Sequence, residues 1–124
     1  MVTVVIDGRL PGMNELIAKN RNSWQQGAES KFNNTQWCRL FFMNALRTGN
    51  LKPLKKKCDL YVVWYEPNRK RDPDNILAGL KFILDGAVKS GAIPDDSQKY
   101  IGEIHSVIRV DTKRPRVEIT FKPV

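Results

Sequence analysis

The middle of the chain carries the sequence Cys58-Asp59-Leu60-Tyr61-Val62-Val63-Trp64-Tyr65, which is followed by Pro67. Leu60, Val62 and Trp64 occupy every second position. Successive side chains of a strand point to opposite faces, so these three residues share one face. Proline cannot donate to a strand ladder, and Pro67 therefore marks the end of the segment. The stretch predicts a strand with one buried face.

Strand and helix patterns also precede this segment. The β-branched run Thr3-Val4-Val5-Ile6 predicts a first strand. The segment 14–27 is polar and basic without a clear period, and we expect a surface loop there. Apolar residues recur with helical spacing from Ser30 to Arg47, where Gly49 ends the pattern. This predicts a helix with Trp37 in the core.

The remaining elements complete a mixed fold. A helix is predicted from Asn75 to Lys89, with Gly91 as its C-terminal cap. The spacing i, i+4, i+7, i+8 gives this helix a buried stripe of Ile76, Leu80, Ile83, Leu84, Ala87 and Val88. The segments 100–110 and 116–122 predict a closing hairpin. The order β-α-β-α-β-β indicates an α/β (mixed α+β) fold, in which a small mixed sheet of about four strands carries two main helices. We expect a single domain over residues 1–124.

The charge balance favours a polyanionic partner. The 124 residues include 21 Lys and Arg against 13 Asp and Glu, which gives a net charge of +8 and a pI near 9.7. Cations that neutralise phosphates release condensed counterions, so a basic chain favours nucleic acid. Basicity alone predicts no chemistry.

Several features predict a cytoplasmic protein without a membrane segment. No apolar run approaches the ~20 residues of a membrane span. The N-terminus lacks the basic start and apolar block of a secretory signal. Cys38 and Cys58 lie among apolar neighbours, so we expect buried free thiols rather than a disulfide.

The most basic stretch of the chain also contains acids, in the order Arg69-Lys70-Arg71-Asp72-Pro73-Asp74-Asn75. Residues i and i+2 of an extended backbone point to the same side, and Pro73 favours that conformation at Asp72. Asp74 then lies at the start of a helix, where the dipole favours anions. A second acidic pair, Asp95-Asp96, follows the helix and could return to complete a site.

Carboxylates in this pattern can hold Mg²⁺, which prefers oxygen ligands and assists phosphodiester hydrolysis. Simpler explanations exist for each acid. Asp74 or Asn75 could cap the helix, and the Asp95-Asp96 pair could belong to a solvated turn. A cap needs one acid, however, and three adjacent cations favour a phosphate partner.

The ordered motifs resemble those of the RusA-type Holliday-junction resolvases. The resemblance covers residues 69–98 and rests on three segments: Lys70-Arg71-Asp72-Pro73-Asp74-Asn75, Leu84-Asp85-Gly86 and Asp95-Asp96-Ser97-Gln98. A looser likeness lies at Leu10-Pro11-Gly12-Met13-Asn14.

The resemblance implies a homodimeric endodeoxyribonuclease that binds four-way DNA junctions and makes paired symmetric nicks in recombination and repair. It implies Mg²⁺ as the cofactor, with Mn²⁺ as a substitute, and no small-molecule cofactor. Asp72, Asp74 and Asp96 are then the catalytic metal carboxylates, whereas Asp95 is the weaker candidate for the third ligand. The expected location is the nucleoid in the cytoplasm of a bacterial or phage-infected cell.

The candidate DNA contacts are Arg69, Lys70, Arg71 and Lys81. The family usually has a functional lysine four residues after the second Asp, where this chain has Ala78. On one continuous helix Lys81 shares the face of Asp74, so Lys81 is the candidate replacement. Its simpler alternative is an i,i+4 pair with Asp85.

Three alternatives remain open at this stage. The protein could bind junctions or duplex DNA without cleaving them. It could be a metal nuclease that acts on other branched or single-stranded nucleic acid. It could also be a basic module that binds other proteins.

Overall fold

A four-stranded mixed sheet forms the centre of the protein. The computed structural model describes residues 3–12, 15, 17–18, 21 and 24–124. The strands are β1 (Thr3–Asp7), β2 (Cys58–Glu66), β3 (Ile101–Val110) and β4 (Arg116–Pro123). Their order in the sheet is β1-β4-β2-β3. The β1/β4 and β4/β2 pairs are antiparallel, whereas β2 and β3 are parallel.

Helices complete the fold: α1 (Trp24–Arg47), α2 (Pro73–Leu77) and α3 (Leu80–Ser90). The predicted order of elements and the mixed α+β class are confirmed. No helix in the described part of the chain is long and apolar enough to cross a membrane.

The core lies against one face of β2 and β4. Leu60, Val62 and Trp64 of β2 are buried, as their alternation predicts. Val117 and Ile119 of β4 are buried in the same way. Removing such side chains from water is the main favourable contribution to folding, at about 1.5–3 kcal/mol for each large apolar residue.

The predicted closing hairpin is wrong. β3 and β4 follow each other in sequence, but β2 lies between them in the sheet. The helical connection returns the chain to the start of β2, so β3 runs parallel to β2 and takes the outer position. The apolar pattern of each strand indicates its faces but not its neighbours.

The predicted helix 75–89 is divided into α2 and α3. Gly79 donates its N–H to the Ile76 carbonyl at 3.1 Å, which is a tighter turn than an α-helix makes. The turn brings Gly79 against Leu10 and Trp64, where an added Cβ would lie 3.0 Å from the Leu10 Cβ. The break places the Gly79 backbone so close to these side chains that an added Cβ would require Leu10 or Trp64 to shift.

α1 is longer than its sequence pattern predicts. Trp24–Gly27 belongs to the helix, so the surface-loop prediction for segment 14–27 fails there. Glu15 and Arg21 are also helical. Positions 14, 16, 19–20 and 22–23 lie outside the described residues.

Trp37 is not a core residue. Its exposed fraction is 46%, and its ring packs edge-on against Phe41. The indole Nε1–H donates to the Asp7 carbonyl at 3.1 Å, so the ring bridges α1 to the end of β1. Thr35, Cys38 and Phe42 are the fully buried residues of this part of α1. The core assignment of Trp37 is therefore wrong, although Phe41 and Ala45 of the same apolar pattern pack against the core.

Gly86 permits the close approach of α1 and α3. A Cβ at this position would lie 2.8 Å from the Cys38 Cβ and 2.9 Å from the Arg39 backbone nitrogen. Cys38 and Cys58 are buried free thiols, as predicted. Burial raises the pKa of the Cys38 thiol to about 12. This thiol therefore packs between α1 and α3 and is not activated as a nucleophile.

We expect Gly86→Ala to lower the free energy of unfolding by about 1–3 kcal/mol, because the backbone of Arg39 cannot move aside as a side chain could. Urea unfolding followed by circular dichroism measures the change. Lys89→Ala, at an exposed position of the same helix, is the control and should stay within about 0.5 kcal/mol of the unmodified protein. A stabilised Gly86→Ala variant, as helix propensity alone would give, contradicts the close packing.

Candidate metal and nucleic-acid site

An ion pair between Glu66 and Arg71 organises the end of β2. The Arg71 Nε lies 2.8 Å from one Glu66 carboxylate oxygen, and its Nη2 lies 2.8 Å from the other. The exposed fractions of the two side chains are 9% for Arg71 and 4% for Glu66. Arg9 approaches the same carboxylate at 3.9 Å from the exposed side. The two-bond geometry compensates the cost of burying both charges.

Arg71 also binds the segment that follows β1. Its Nη1 donates to the Leu10 carbonyl at 2.9 Å and lies 3.7 Å from the Glu15 carboxylate. The predicted direct phosphate contact of Arg71 is therefore corrected: this guanidinium is engaged by protein oxygens and positions the neighbouring chain.

Gly12 lies against the same region. An added Cβ on Gly12 would lie 2.7 Å from the Asn75 Cγ, so the two segments are in close contact. The likeness at Leu10-Pro11-Gly12 and the likeness around Asp72 thus belong to one location in the fold.

Asp72 and Asp74 are exposed residues that follow the Glu66–Arg71 ion pair in the chain. Asp72 precedes α2 with φ −72° and ψ 154°, which is the extended conformation predicted from Pro73. The Asp72 carbonyl accepts the Ile76 N–H at 3.1 Å, but its carboxylate makes no capping hydrogen bond. Asp74 lies in the first turn of α2. Both acids are exposed. Because the Asp72 carboxylate makes no capping hydrogen bond, helix capping does not explain why an acid stands at this position.

Arg69 and Lys70 are exposed beside these acids. The Lys70 N–H donates to the Asn68 Oδ1 at 2.9 Å, which forms a tight turn after β2. Of the three cations in the motif, Arg71 is the least exposed.

The Asp95-Asp96 pair lies at the other end of the sheet. The carbonyl of Ser97 accepts the N–H groups of Tyr100 and Ile101 at 3.0 and 2.9 Å. The Tyr100 carbonyl in turn accepts the N–H of Cys58, the first residue of β2, at 2.9 Å. This loop is therefore fixed beside the start of β2, whereas Arg71 is fixed to the last residue of β2.

The length of β2 separates the two acidic groups. Its nine residues span about 26 Å at ~3.3 Å per residue. The expected return of Asp95 and Asp96 to Asp72 and Asp74 does not occur within one chain. Consistently, no group of three His, Cys, Asp or Glu residues in the described ranges is arranged to hold a metal ion.

The two acids of the second pair differ in their surroundings. Hydrogen bonds from the Ser97 side chain and from the Asp96 backbone hold the pKa of Asp95 below its usual value. The Asp95 carboxylate is thus engaged in its own turn. Asp96 is exposed and is the better candidate for an external ligand.

Lys81 is paired with Asp85 in the structure. The Lys81 Nζ lies 3.7 Å from the Asp85 carboxylate, and the lysine side chain is 63% exposed. The break at Gly79 separates Lys81 from the helix of Asp74, so the argument from one continuous helix face does not apply. The simpler i,i+4 pair is present, and such an exposed pair contributes at most a few tenths of a kcal/mol.

Glu66 is the important residue that sequence reasoning missed. It continues the buried series 60, 62, 64 of β2, and only 3% of the residue is exposed to solvent. A carboxylate in phase with a core face requires a partner, and Arg71 is five residues away. That combination of phase and charge is the signal that could have identified the pair.

Comparison with known proteins gives no assignment: no family model matches the chain, and no curated protein matches it.

A double-mutant cycle tests the ion pair between Glu66 and Arg71. We expect Glu66→Gln and Arg71→Met each to lower the free energy of unfolding by about 3 kcal/mol, because each removes the two-bond partner of a charge that is largely shielded from water. The double variant should lose clearly less than the sum of the two, since it removes both charges. Urea unfolding measures all three, with Glu29→Gln on exposed α1 surface as the control. Strictly additive losses would contradict the pairing.

Proposed function

We propose that the protein is a RusA-like, structure-selective endodeoxyribonuclease that resolves four-way DNA junctions by paired symmetric nicks in recombination and repair. The observation that supports this most strongly is the exposed Asp72-Pro73-Asp74 segment, held by the Glu66–Arg71 pair next to Arg69 and Lys70. It combines oxygen ligands with phosphate-binding cations at one location.

The chemistry of these donors fits Mg²⁺. Asp72 and Asp74 offer carboxylate oxygens that no cap consumes, and magnesium needs only a few carboxylates because it retains several waters. When bound, Mg²⁺ supplies a more acidic water and a polarised phosphoryl oxygen. Mn²⁺, which also prefers carboxylate and water ligands, should substitute.

A homodimer supplies the third carboxylate in this proposal. Asp96 lies at the opposite end of the sheet from Asp72 and Asp74, so two copies in antiparallel arrangement bring unlike ends together. Each site would then take Asp72 and Asp74 from one copy and Asp96 from the other. Two-fold symmetry gives two identical sites, which suits the two equivalent strands of a four-way junction.

In this proposal the cations of the site have two different roles, phosphate binding and the positioning of Asp72. Arg69 and Lys70 bind backbone phosphates, and Lys81 contacts a phosphate at the start of α3 in competition with Asp85. Arg71 positions Asp72 without touching DNA. Recognition of shape through phosphates should make affinity fall steeply with salt. Such an enzyme acts on nucleoid DNA in the cytoplasm of a bacterial or phage-infected cell.

A second candidate is a junction- or duplex-binding protein without catalysis. It is favoured by the absence of a three-carboxylate group within the described part of one chain. A nuclease that acts on other branched or single-stranded nucleic acid uses the same residues, and substrates of equal length but different shape distinguish it.

The direct test is cleavage of a synthetic four-way junction, compared with a linear duplex of equal length, in Mg²⁺ or EDTA. We expect paired nicks in the junction in Mg²⁺ only. Asp74→Asn and Asp96→Asn should each reduce cleavage by about 100-fold or more, because each removes a ligand charge. Asp95→Asn is the matched control and should cleave within a few-fold of the unmodified protein.

Tight junction binding without nicking in either Mg²⁺ or Mn²⁺ would contradict the nuclease proposal and favour the binding protein. Equal cleavage of junction and duplex would contradict junction selectivity. Full activity of Asp74→Asn would remove the proposed metal site.

A further inference from the structure

β3 is a long sheet edge whose side chains are largely exposed. It has ten residues, contains no proline and, among the described residues, pairs only with β2. Its register against β2 shifts between Ile101 and Ile104 and is regular from Ile104 to Val110. Ile104, Val107 and Val110 are 44%, 37% and 46% exposed, although all three are apolar. Natural proteins shorten, charge or cover such edges because they invite pairing with another strand. The opposite edge, β1, has only five residues.

We propose that β3 pairs with β3 of a second copy of this chain, antiparallel and centred on Ser106, so that two four-stranded sheets form one continuous sheet. A strand that pairs with its own copy is related to it by a two-fold axis perpendicular to the sheet. Opposite residues then share a face, and their numbers add to a constant even sum.

The charges of β3 select this register. With Ser106 at the centre, Glu103 lies opposite the partner's Arg109, and Arg109 lies opposite the partner's Glu103. Opposite charges at facing positions stabilise an antiparallel pair. On the other face of the sheet, Ile104 lies opposite the partner's Ile108.

The neighbouring registers are poorer. A centre at Val107 places Glu103 opposite the partner's Asp111, which sets like charges against each other. A centre at His105 places Glu103 opposite the partner's Val107 and Arg109 opposite the stretch where the partner's register shifts, so neither charge faces one of opposite sign. Ser106 is thus the centre that gives charge and apolar complementarity together.

This pairing also deepens the proposed function, and that part of the inference rests on the proposed function. Antiparallel β3 strands place the start of one β3, near Asp96, beside the end of the partner's sheet. That end carries the partner's Asp72 and Asp74. The pairing itself rests only on the exposure and charge of β3.

Cysteine cross-linking tests the register without DNA or metal. Facing residues of antiparallel strands have Cα atoms about 4.5–5.5 Å apart, which a disulfide can span. We expect Ser106→Cys to form a disulfide-linked dimer under mild oxidation. The matched control Val110→Cys should not, because its partner cysteine would be about 26 Å away. Cys38 and Cys58 are buried and give little background.

Charge reversal provides a second test by sedimentation. Glu103→Arg and Arg109→Glu should each raise the dimer dissociation constant about ten-fold, because each dimer contains two such pairs. The combined variant should recover most of the loss. Because Glu103 also contacts His105 at 3.0 Å within its own chain, recovery in the combined variant identifies the contact with Arg109 as the one that matters. Lys113→Glu, exposed outside β3, is the control.

The outcomes separate this inference from the proposed function. No Ser106→Cys cross-link, equal linkage of Val110→Cys, or no recovery in the charge-reversed pair would overturn the β3 interface even if the protein cleaves junctions. A linked Ser106→Cys dimer that does not cleave would retain the interface and remove the nuclease proposal.

Discussion

The ion pair between Glu66 and Arg71 is the contact on which the candidate site depends. A carboxylate at the end of a buried strand face is costly unless an opposite charge meets it with good geometry. Arg71 meets both oxygens at 2.8 Å and uses a third nitrogen to bind the Leu10 carbonyl. The chain that follows must therefore leave the sheet at a defined point, and Asp72 and Asp74 are presented there. Of the three clustered cations, Arg71 is thus engaged within the fold, whereas Arg69 and Lys70 are exposed.

The parallel pairing of β2 and β3 determines where the remaining acid lies. A helical crossover between parallel strands carries the chain from the end of one strand to the start of the next. Asp74 stands at the beginning of that crossover and Asp96 at its conclusion, so the two must lie at opposite ends of the sheet. A single copy cannot bring them together without breaking the sheet. In the proposed dimer an antiparallel second copy does so, and the open edge of β3 and the divided acids both favour that two-fold arrangement.

The sequence pattern correctly predicted those features that depend only on neighbouring residues in the chain. The alternation in Cys58–Tyr65 gave the buried face of β2, and Pro73 gave the extended backbone of Asp72, because each depends on adjacent residues alone. The hairpin and the role of Arg71 could not be predicted in this way, since they depend on the position of β2 in the sheet and on Glu66. The break at Gly79 was missed because it depends on Leu10 and Trp64, which are distant in sequence. The prediction that Trp37 is buried was wrong because its hydrogen bond to the Asp7 carbonyl keeps the ring at the surface.

In the proposed dimer each metal site takes ligands from two copies, and co-refolding of Asp74→Asn with Asp96→Asn distinguishes this arrangement from a site within one copy. If the ligands come from different copies, a mixed dimer has one site with both lesions and one intact site. Random mixing should then restore about a quarter of the active sites, seen as single nicks in junction DNA, although each variant alone is inactive. If all three ligands came from one copy, every site would carry a lesion, and an inactive mixture would contradict the site shared between two copies.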